Sequence, residues 1–320
     1  MIDEKILGVL KDEKGSHISG EELSRLAGVS RAAIWKHIEK LREDGYEIEA
    51  SPHLGYRLVS VPDNLIPNEI KWGLKTKLLG REIISYKKID STNRAAYDLA
   101  SKGVKEGSIV LAEEQTKGRG RLGRAWASPP EGGIYLSCIL RPRISPSEIP
   151  KLTLTASVSV ARAIREVSGL EAVIKWPNDV LIDSKKVCGI LLEMKAEQDR
   201  LDFVIVGIGI NVNTPGRLIP KGGTSVKEES GEEVSRIALT RKVLEDLEEE
   251  YLLLSKGGFP KIVEEWKELS HMLGSRVRVV LSNREFEGQA IDVDKDGTLL
   301  VRLDNGFIEK VFSGDVMMVR

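Results

Sequence analysis

A chain of 320 residues, 41% hydrophobic and 30% charged, is too long for one ordinary domain and fits two or three. Its formal net charge of −1 supplies no global field to hold it on nucleic acid or membrane. No apolar run reaches bilayer length, Met1-Ile-Asp-Glu-Lys lacks the basic-then-apolar order of a signal peptide, and two cysteines with four histidines support neither a disulfide nor a metal site. A cytoplasmic protein without a membrane partner is expected, with Cys138 and Cys188 as small buried hydrophobes.

Ile6, Leu7, Val9 and Leu10 suit one face of a first helix. Ser19-Gly-Glu21-Glu22 has the capping pattern for a second, which buries Leu23 and Leu26 and ends at Ala27-Gly28. Gly28-Val29-Ser30 makes a tight turn, and Ser30 caps a third helix carrying Ile34, Ile38 and Leu41 inward. This is a helix-turn-helix pattern, with Ser30, Arg31, Ala32, Ala33 and Lys36 at the start of a DNA-recognition helix. Tyr46–Ala50 and Tyr56–Val59 alternate around Ser51–Gly55 as a two-stranded wing. Residues 1–60 hold nine Lys/Arg against eleven Asp/Glu, so the module is not basic as a whole. Between Ser30 and Arg42, however, four cations face Glu39 alone. With so few cations one copy binds weakly, and a dimer on a two-part operator is needed.

Val61–Pro67, with two prolines, reads as a linker. Asn68–Leu79 looks helical. From about 81 to 270 strands and helices mix: a strand over Glu82–Ile89, a helix over Thr92–Lys102, strands at Ile109 and Tyr135–Leu140, and a helix over Lys151–Ser168. Further strands lie near Ala172, Val180, Gly189 and Phe203, and helices over Leu239–Leu254 and Phe259–Leu269. Tight turns favour a mixed or antiparallel sheet with helices on one side, an α+β arrangement. From Ser275 five short strands alternate with Asn283-Arg, Asp296-Gly and Asn305-Gly turns, as in a small SH3-like β-barrel. The expected domains are 1–62, a winged helix-turn-helix; 63–271, a mixed-sheet ligand-binding domain; and 272–320, the barrel.

Chemistry concentrates in Gly118-Arg-Gly120-Arg121-Leu-Gly123-Arg124. Three glycines let the backbone bend closely around a ligand, and three arginines offer planar forks for carboxylate or phosphate. The glycines satisfy G-x-G-x-x-G, but Arg-Ala-Trp126-Ala-Ser-Pro-Pro follows where a Rossmann helix would start, and no acidic residue stands about twenty residues on. A Walker loop is absent. A solvated basic turn is the competing reading of this loop alone. Three further islands accompany it: Asp90-Ser91-Thr92-Asn93 opening a helix, Lys175-Trp176-Pro177-Asn178-Asp179 with Lys186 downstream, and Gly207-Ile-Gly209-Ile-Asn211-Val-Asn213.

In this order the four islands resemble the biotin protein ligases, over roughly residues 80–320. The N-terminal module extends the resemblance to the bifunctional ligase–repressor subgroup. It implies that biotin and ATP form biotinyl-5′-adenylate, whose acyl group passes to a lysine of a carboxyl-carrier domain. Mg²⁺ is implied by ATP, and no carboxylate cluster identifies its seat. Both steps concentrate negative charge, so cations and N–H donors should dominate. Lys186, eight residues after Asn178, is the expected catalytic cation in preference to Lys185, with Arg119 and Asp179 beside it. Asp179 would align the incoming lysine or serve as a structural carboxylate. Ser91, Thr92, Asn93, Gln115, Arg119, Gly120, Arg121 and Lys186 would hold biotin, with helix capping as the alternative for Ser91 and Thr92. Gly118, Arg121, Trp126, Asn178, Gly207, Gly209 and Asn211 would hold the adenylate, the two asparagines through their amides. Lys175 stays open between phosphate contact and scaffold.

The loop, with charges that repel and no apolar anchor before Trp126, is expected to have little order without ligand and to close over biotin. Adenylate binding would favour a homodimer through strand Tyr135–Leu140 and so load operator DNA, in competition with the carrier domain. The alternatives are a lipoate or octanoate ligase, and a repressor whose enzyme site is vestigial.

Overall fold

Helices α1 (Ile2–Asp12), α2 (Gly20–Ala27) and α3 (Arg31–Glu43) precede a two-stranded antiparallel wing, β1 (Glu47–Ser51) and β2 (Gly55–Ser60). The computed structural model describes residues 2–13, 15–130, 132–197, 200–281 and 283–319. These first elements belong to one unit, Met1–Asn64, and the rest to a second, Leu65–Arg320. The local signals act as read. The Ser19 hydroxyl accepts the Glu22 N–H at 3.1 Å and the Ser30 hydroxyl accepts that of Ala33 at 3.3 Å. Gly28, at φ +72°, stops α2. Ile6, Leu10, Leu23, Ile34 and Ile38 are fully buried, each contributing about 1.5–3 kcal/mol of hydrophobic stabilisation. Leu26, expected inside, is 46% exposed. The inner stripe of this two-turn helix runs through Leu23 and Ala27, spaced i and i+4, which leaves Leu26 at its margin. Gly55, at φ +99°, is required: a Cβ there would meet the Ile18 carbonyl oxygen at 2.0 Å, where Ile18 and Tyr56 bridge the wing to the helices.

The second unit opens with α4 (Pro67–Lys71), much shorter than the helix expected over Asn68–Leu79. Gly73 turns to φ +81°, and the buried Glu248 carboxylate accepts the N–H groups of Lys77, Leu78 and Leu79 at 2.6–2.7 Å, replacing helical carbonyls. Strand β3 (Ile83–Tyr86), helix α5 (Thr92–Ser101), β4 (Ile109–Ala112), β5 (Gly133–Leu140), helix α6 (Ile149–Ser168), β6 (Ala172–Lys175), β7 (Asp179–Ile182), β8 (Lys185–Glu197) and β9 (Arg200–Asn211) follow. The seven strands form one sheet ordered β3-β4-β5-β9-β8-β7-β6, in which only β3 and β4 run parallel. The mixed-sheet expectation holds, but helices cover both faces. Val110, Ile139, Phe203 and Ile205 pack on α5 (Tyr97 meets Phe203 edge-on at 5.0 Å), while the alternate residues Leu111, Leu136, Cys138 and Val206 face α6 and a later helix.

Strand β5 lies inside the sheet with β4 and β9 on its two edges, so Tyr135–Leu140 cannot pair across a two-fold axis. The hydrogen-bonding groups that such pairing would use are already consumed. By contrast β8 outruns β7: residues 192–197 have no strand on that side among the described residues.

Helices α7 (Val226–Ser230), α8 (Arg236–Ser255) and α9 (Phe259–Glu268) lead to five strands: β10 (Arg276–Val280), β11 (Glu285–Val293), β12 (Leu299–Arg302), β13 (Ile308–Val311) and β14 (Asp315–Met318). These form an antiparallel sheet ordered β13-β12-β11-β10-β14, with no ladder joining β13 to β14 among the described residues. Its inward residues, including Val277, Val279 and Ala290, share one continuous core with α6, α8 and α9.

Candidate functional site

Three adjacent strands make the floor of a cavity of about 140 Å³. Ser137, Gly207 and Leu191 lie side by side on β5, β9 and β8, and Tyr135, Gly209 and Gly189 form the next row. These residues share the α5 face of the sheet. A Cβ at Gly207 would sit 2.0 Å from Asn93 Oδ1, and one at Gly209 2.5 Å from Trp126 Nε1. The glycines therefore let Asn93 and Trp126 lie directly on the sheet.

The start of α5 supplies one wall, with Ser91, Thr92 and Asn93 buried. Ser91 is the N-cap residue yet makes no side-chain cap bond; its own N–H goes to Asp90 Oδ1 at 2.7 Å. Gln115 Oε1 accepts both the backbone N–H and the hydroxyl of Thr92, at 2.8 and 3.1 Å, while its Nε2 donates to Ser128 Oγ at 2.9 Å. Asn93 donates to Glu193 Oε2 at 2.8 Å, and Ser137 Oγ stands 2.6 Å from Asn93 Oδ1. The wall is a fixed polar network.

The glycine–arginine segment forms the lid. Trp126 N–H donates to Gly118 O at 2.9 Å and Gly120 N–H to Arg124 O at 2.7 Å, which closes a short hairpin. Each arginine meets an acceptor: Arg119 Nη2 lies 2.9 Å from Glu193 Oε2, Arg121 Nη1 donates to Asn178 Oδ1 at 3.0 Å, and Arg124 forks onto both oxygens of Asp315. The repulsion anticipated within the loop is thus compensated by partners outside it. Burial pulls the Arg121 guanidinium below its usual range, against the opposing pull of Asp315 and Asp179. Lys186 Nζ stands 2.6 Å from Asp179 Oδ1 and 5.4 Å from the Trp126 ring centre. Its neighbour Lys185 turns away to Glu229 at 2.9 Å.

Of the expected residues, Ser91, Thr92, Asn93, Gln115, Arg119, Gly120, Arg121, Trp126, Asn178, Asp179, Lys186, Gly207 and Gly209 line this one cavity. Gly118 does not: a Cβ there would strike Trp126 O and Ser128 Oγ, so its role is close backbone packing. Asn211 borders a second cavity of about 200 Å³ behind Trp126, with Ile219, Pro220 and Gly223. Asn178 presents no free amide end, since its Nδ2 donates to Ile190 O at 2.9 Å and its Oδ1 receives Arg121. Lys175 lies outside both cavities. Burial pushes both cysteine thiols up, which disfavours the thiolate form.

In the N-terminal unit, α3 turns Ile34, Ile38 and Leu41 inward and leaves Arg31, Ala32, Trp35 and Lys36 exposed. The Ser30 hydroxyl is spent on the cap. Lys40 is tied to Asp3 at 2.7 Å, and Arg42 to Glu39 and the Ile48 carbonyl, so Arg31 and Lys36 are the exposed cations on this face without an ion pair among the described residues. Trp35, 57% exposed between them, carried no signal beyond its place in the helix.

Residues 3–57 match the model of an HTH domain, 85–211 that of the biotin/lipoate A/B protein ligase family, and 272–319 that of the biotin protein ligase C-terminal domain. The chain is 41% identical over 93% of its length to the bifunctional ligase/repressor BirA of Bacillus subtilis, covering 93% of that protein. The chain belongs to the biotin protein ligase family. The Escherichia coli bifunctional ligase/repressor BirA is 29% identical over 98% of the chain and 96% of its own length. Among solved structures, the biotin protein ligase of Aquifex aeolicus in complex with biotin and ATP superposes with a TM-score of 0.65 at 30% identity, covering 75% of this chain and all of that one.

Within this biotin protein ligase fold, sequence reasoning missed Glu193, Ser128, Ser137, Gly189 and Asp315. Gly189 could have been found as the β8 partner of Gly209 in an apolar strand. Glu193 and Asp315 carry no local signal, because each meets its arginine across 74 and 191 residues of chain. No group of three or more His, Cys, Asp or Glu among the described residues is arranged to hold a metal, and no helix among them is long and apolar enough to cross a membrane.

Proposed function

We propose that this chain is an ATP-dependent biotin–carboxyl-carrier ligase that also acts as a biotin-responsive repressor on operator DNA. The observation that carries the reading is the convergence of four sequence-distant motifs on one cavity: the α5 start, the arginine loop, Asp179 with Lys186, and the Gly207–Gly209 strand. In the first step a carboxylate oxygen of biotin forms a bond to the α-phosphorus of ATP, and the bond to the bridging oxygen breaks as pyrophosphate leaves. Lys186, Arg119 and Arg121 line the same cavity, and their role is to stabilise the charge that builds on the phosphorus, lowering the barrier without any proton transfer. In the second step the carrier lysine's neutral amine attacks the acyl carbon, the acyl carbon–oxygen bond to phosphate breaks as AMP leaves, and the nitrogen loses one proton to solvent. Asp179, already 2.6 Å from Lys186, orients both the ammonium and the incoming amine.

Ser91, Thr92, Asn93 and Gln115 form the polar end for biotin. Trp126 divides that end from the cavity bordered by Asn211, which suits the adenine. Asn178 holds Arg121 instead of reading the base. These residues offer magnesium no cluster of their own; the fit is to an ion carried on the triphosphate, where it would neutralise phosphate charge. The lid, the seven-stranded body and the C-terminal sheet work as the catalytic part over 63–271 and its 272–320 extension, with 1–62 as the DNA module. Consumption of ATP and action on operator DNA point to the cytoplasm.

Operator binding uses Arg31, Ala32, Ala33, Trp35 and Lys36. With two cations on α3 lacking an ion pair among the described residues, a homodimer is needed, and the outer edge of β8, residues 192–197, which no strand covers among the described residues, is the pairing surface that supports it. A carrier domain approaching the same edge would compete. The test is transfer of biotin from biotin and ATP to a carrier domain, with lipoate as the control acid, together with operator binding and sedimentation in the presence and absence of biotinyl-adenylate. Transfer of lipoate in place of biotin, or a dimerisation constant unmoved by adenylate, would overturn the corresponding half.

A further inference from the structure

Asp315 opens the last strand, far from every motif that marks the cavity in the sequence, yet its side chain lines the cavity. It is held from behind. Val280 pairs with Asp315 in the β10–β14 ladder, and the preceding Gly314, at φ +147°, comes so close that a Cβ would stand 3.0 Å from Val280 O and 2.9 Å from a Leu281 methyl. The carboxylate is therefore presented by a strand end paired with β10 and packed closely against Val280 and Leu281.

In front, both its oxygens receive the Arg124 guanidinium, with Nη1 at 3.2 Å from Oδ1. Arg124 in turn sets the lid, because its carbonyl accepts the Gly120 N–H at 2.7 Å and its N–H reaches the Arg121 carbonyl at 3.2 Å. Arg121 then extends to Asn178 at the cavity wall. A paired strand end is thus coupled by one forked contact to the loop that covers the ligand. Arg124 is 63% exposed at its side chain, so the pair adds little to folding stability. What a fork-on-carboxylate contact supplies is orientation. The charge of Asp315 also reaches Arg121, where it opposes the effect of burial.

We propose that Asp315 is a positioning residue for the ligase reaction: by fixing Arg124 it holds the Gly118–Arg124 lid closed over the bound acyl-adenylate, and so makes the C-terminal sheet part of the device that retains the intermediate. This rests on the ligase reading above. Asp315 touches no reacting atom; it acts through Arg124.

The test uses the full-length protein charged with biotin and ATP, then freed of unbound nucleotide. Release of biotinyl-adenylate is followed in Asp315→Asn, Asp315→Glu, Arg124→Ala and the Asn/Ala double variant. Asp315→Asn should release the intermediate about tenfold faster, while single-turnover adenylation at saturating substrates stays within about threefold and the melting temperature is unchanged. Asp315→Glu should restore slow release, and adding Asp315→Asn to Arg124→Ala should change nothing further. Wild-type release in Asp315→Asn, or additive effects in the double variant, would overturn the proposal. Failure of the wild-type chain to form adenylate would instead overturn the ligase reading, so the two failures are separable. Should Asp315→Asn melt early, the charge swap Arg124→Asp with Asp315→Arg decides: recovery of slow release supports the contact, and fast release overturns it.

Discussion

In the cavity Arg119, Arg121, Arg124 and Lys186 each meet an acceptor from the same chain, whereas on α3 Arg31 and Lys36 stand in solvent without an ion pair among the described residues. In the function proposed above, both surfaces meet phosphate-bearing ligands. The difference lies in preorganisation. The cavity cations are held by carboxylates on β7, β8 and β14 and by the amide of Asn178 before β7, so a ligand would meet them already oriented and partly dry. The α3 cations sit on one helix and gain by releasing counterions from DNA, a term that fades with salt. One site is tuned for chemistry and the other for reversible attachment.

Lys186→Ala should separate the two most sharply. Adenylate formation in a single turnover should fall about 10²–10³-fold, with biotin affinity kept within about tenfold and operator binding by preformed adenylate complex retained. Adenylation at the wild-type rate would break the assignment. Gly209→Val follows in size. Its branched side chain must evict the Trp126 indole, so nucleotide binding should weaken about tenfold or more at a stability cost of about 1–3 kcal/mol, read by calorimetry and thermal melting.

On the DNA side, Trp35→Ala should reduce specific operator binding about tenfold while non-specific binding moves about twofold or less. Replacing thymines of the operator by deoxyuridine, which removes only a methyl group, should weaken wild-type binding at particular positions and leave Trp35→Ala indifferent there. Equal losses for both proteins would exclude the indole as the reader of that methyl. Lys36→Ala should instead lower binding to all sequences and flatten the salt dependence by about one unit of slope.

The smallest effect concerns Asp3. Burial works against its charge, but hydrogen bonds from Lys40 and His37 hold its carboxyl below the usual range. A depressed carboxyl contributes stability above its unfolded value of about 4 and loses it as pH falls through the folded value. Asp3→Asn should therefore cost the N-terminal unit about 0.5–1 kcal/mol at pH 7 and nothing in strong acid, checked by melting across pH. A constant loss at all pH values would assign Asp3 a purely steric role.

What could be read in advance follows the range of the forces involved. Caps at Ser19 and Ser30, the αL stop at Gly28 and the alternation of the strands act within a few residues, and they appear in the fold as read. Helix α4 ends early because Glu248, some 170 residues away, takes the N–H groups that a longer helix would have used. The interior position of β5 depends on which strands flank it, and strand order leaves no trace in one strand's own pattern. The cavity shows the same division. Its motif residues were visible as clusters, while Glu193 and Asp315 are single acidic residues whose meaning arises only from the arginines they meet.

The five tryptophans are distributed so that the molecule carries its own optics. Trp176 and Trp266 are sealed in the core, where an indole is expected to emit in the blue. Trp35 stands in water on α3, and Trp126 lies between the two cavities beside Lys186. With the half-exposed Trp72 replaced by phenylalanine, each function keeps one responsive fluorophore. Under the proposed function adenylate should report through Trp126 and duplex through Trp35, so the sequence and tempo of the two events become readable from a single sample in a stopped-flow cell.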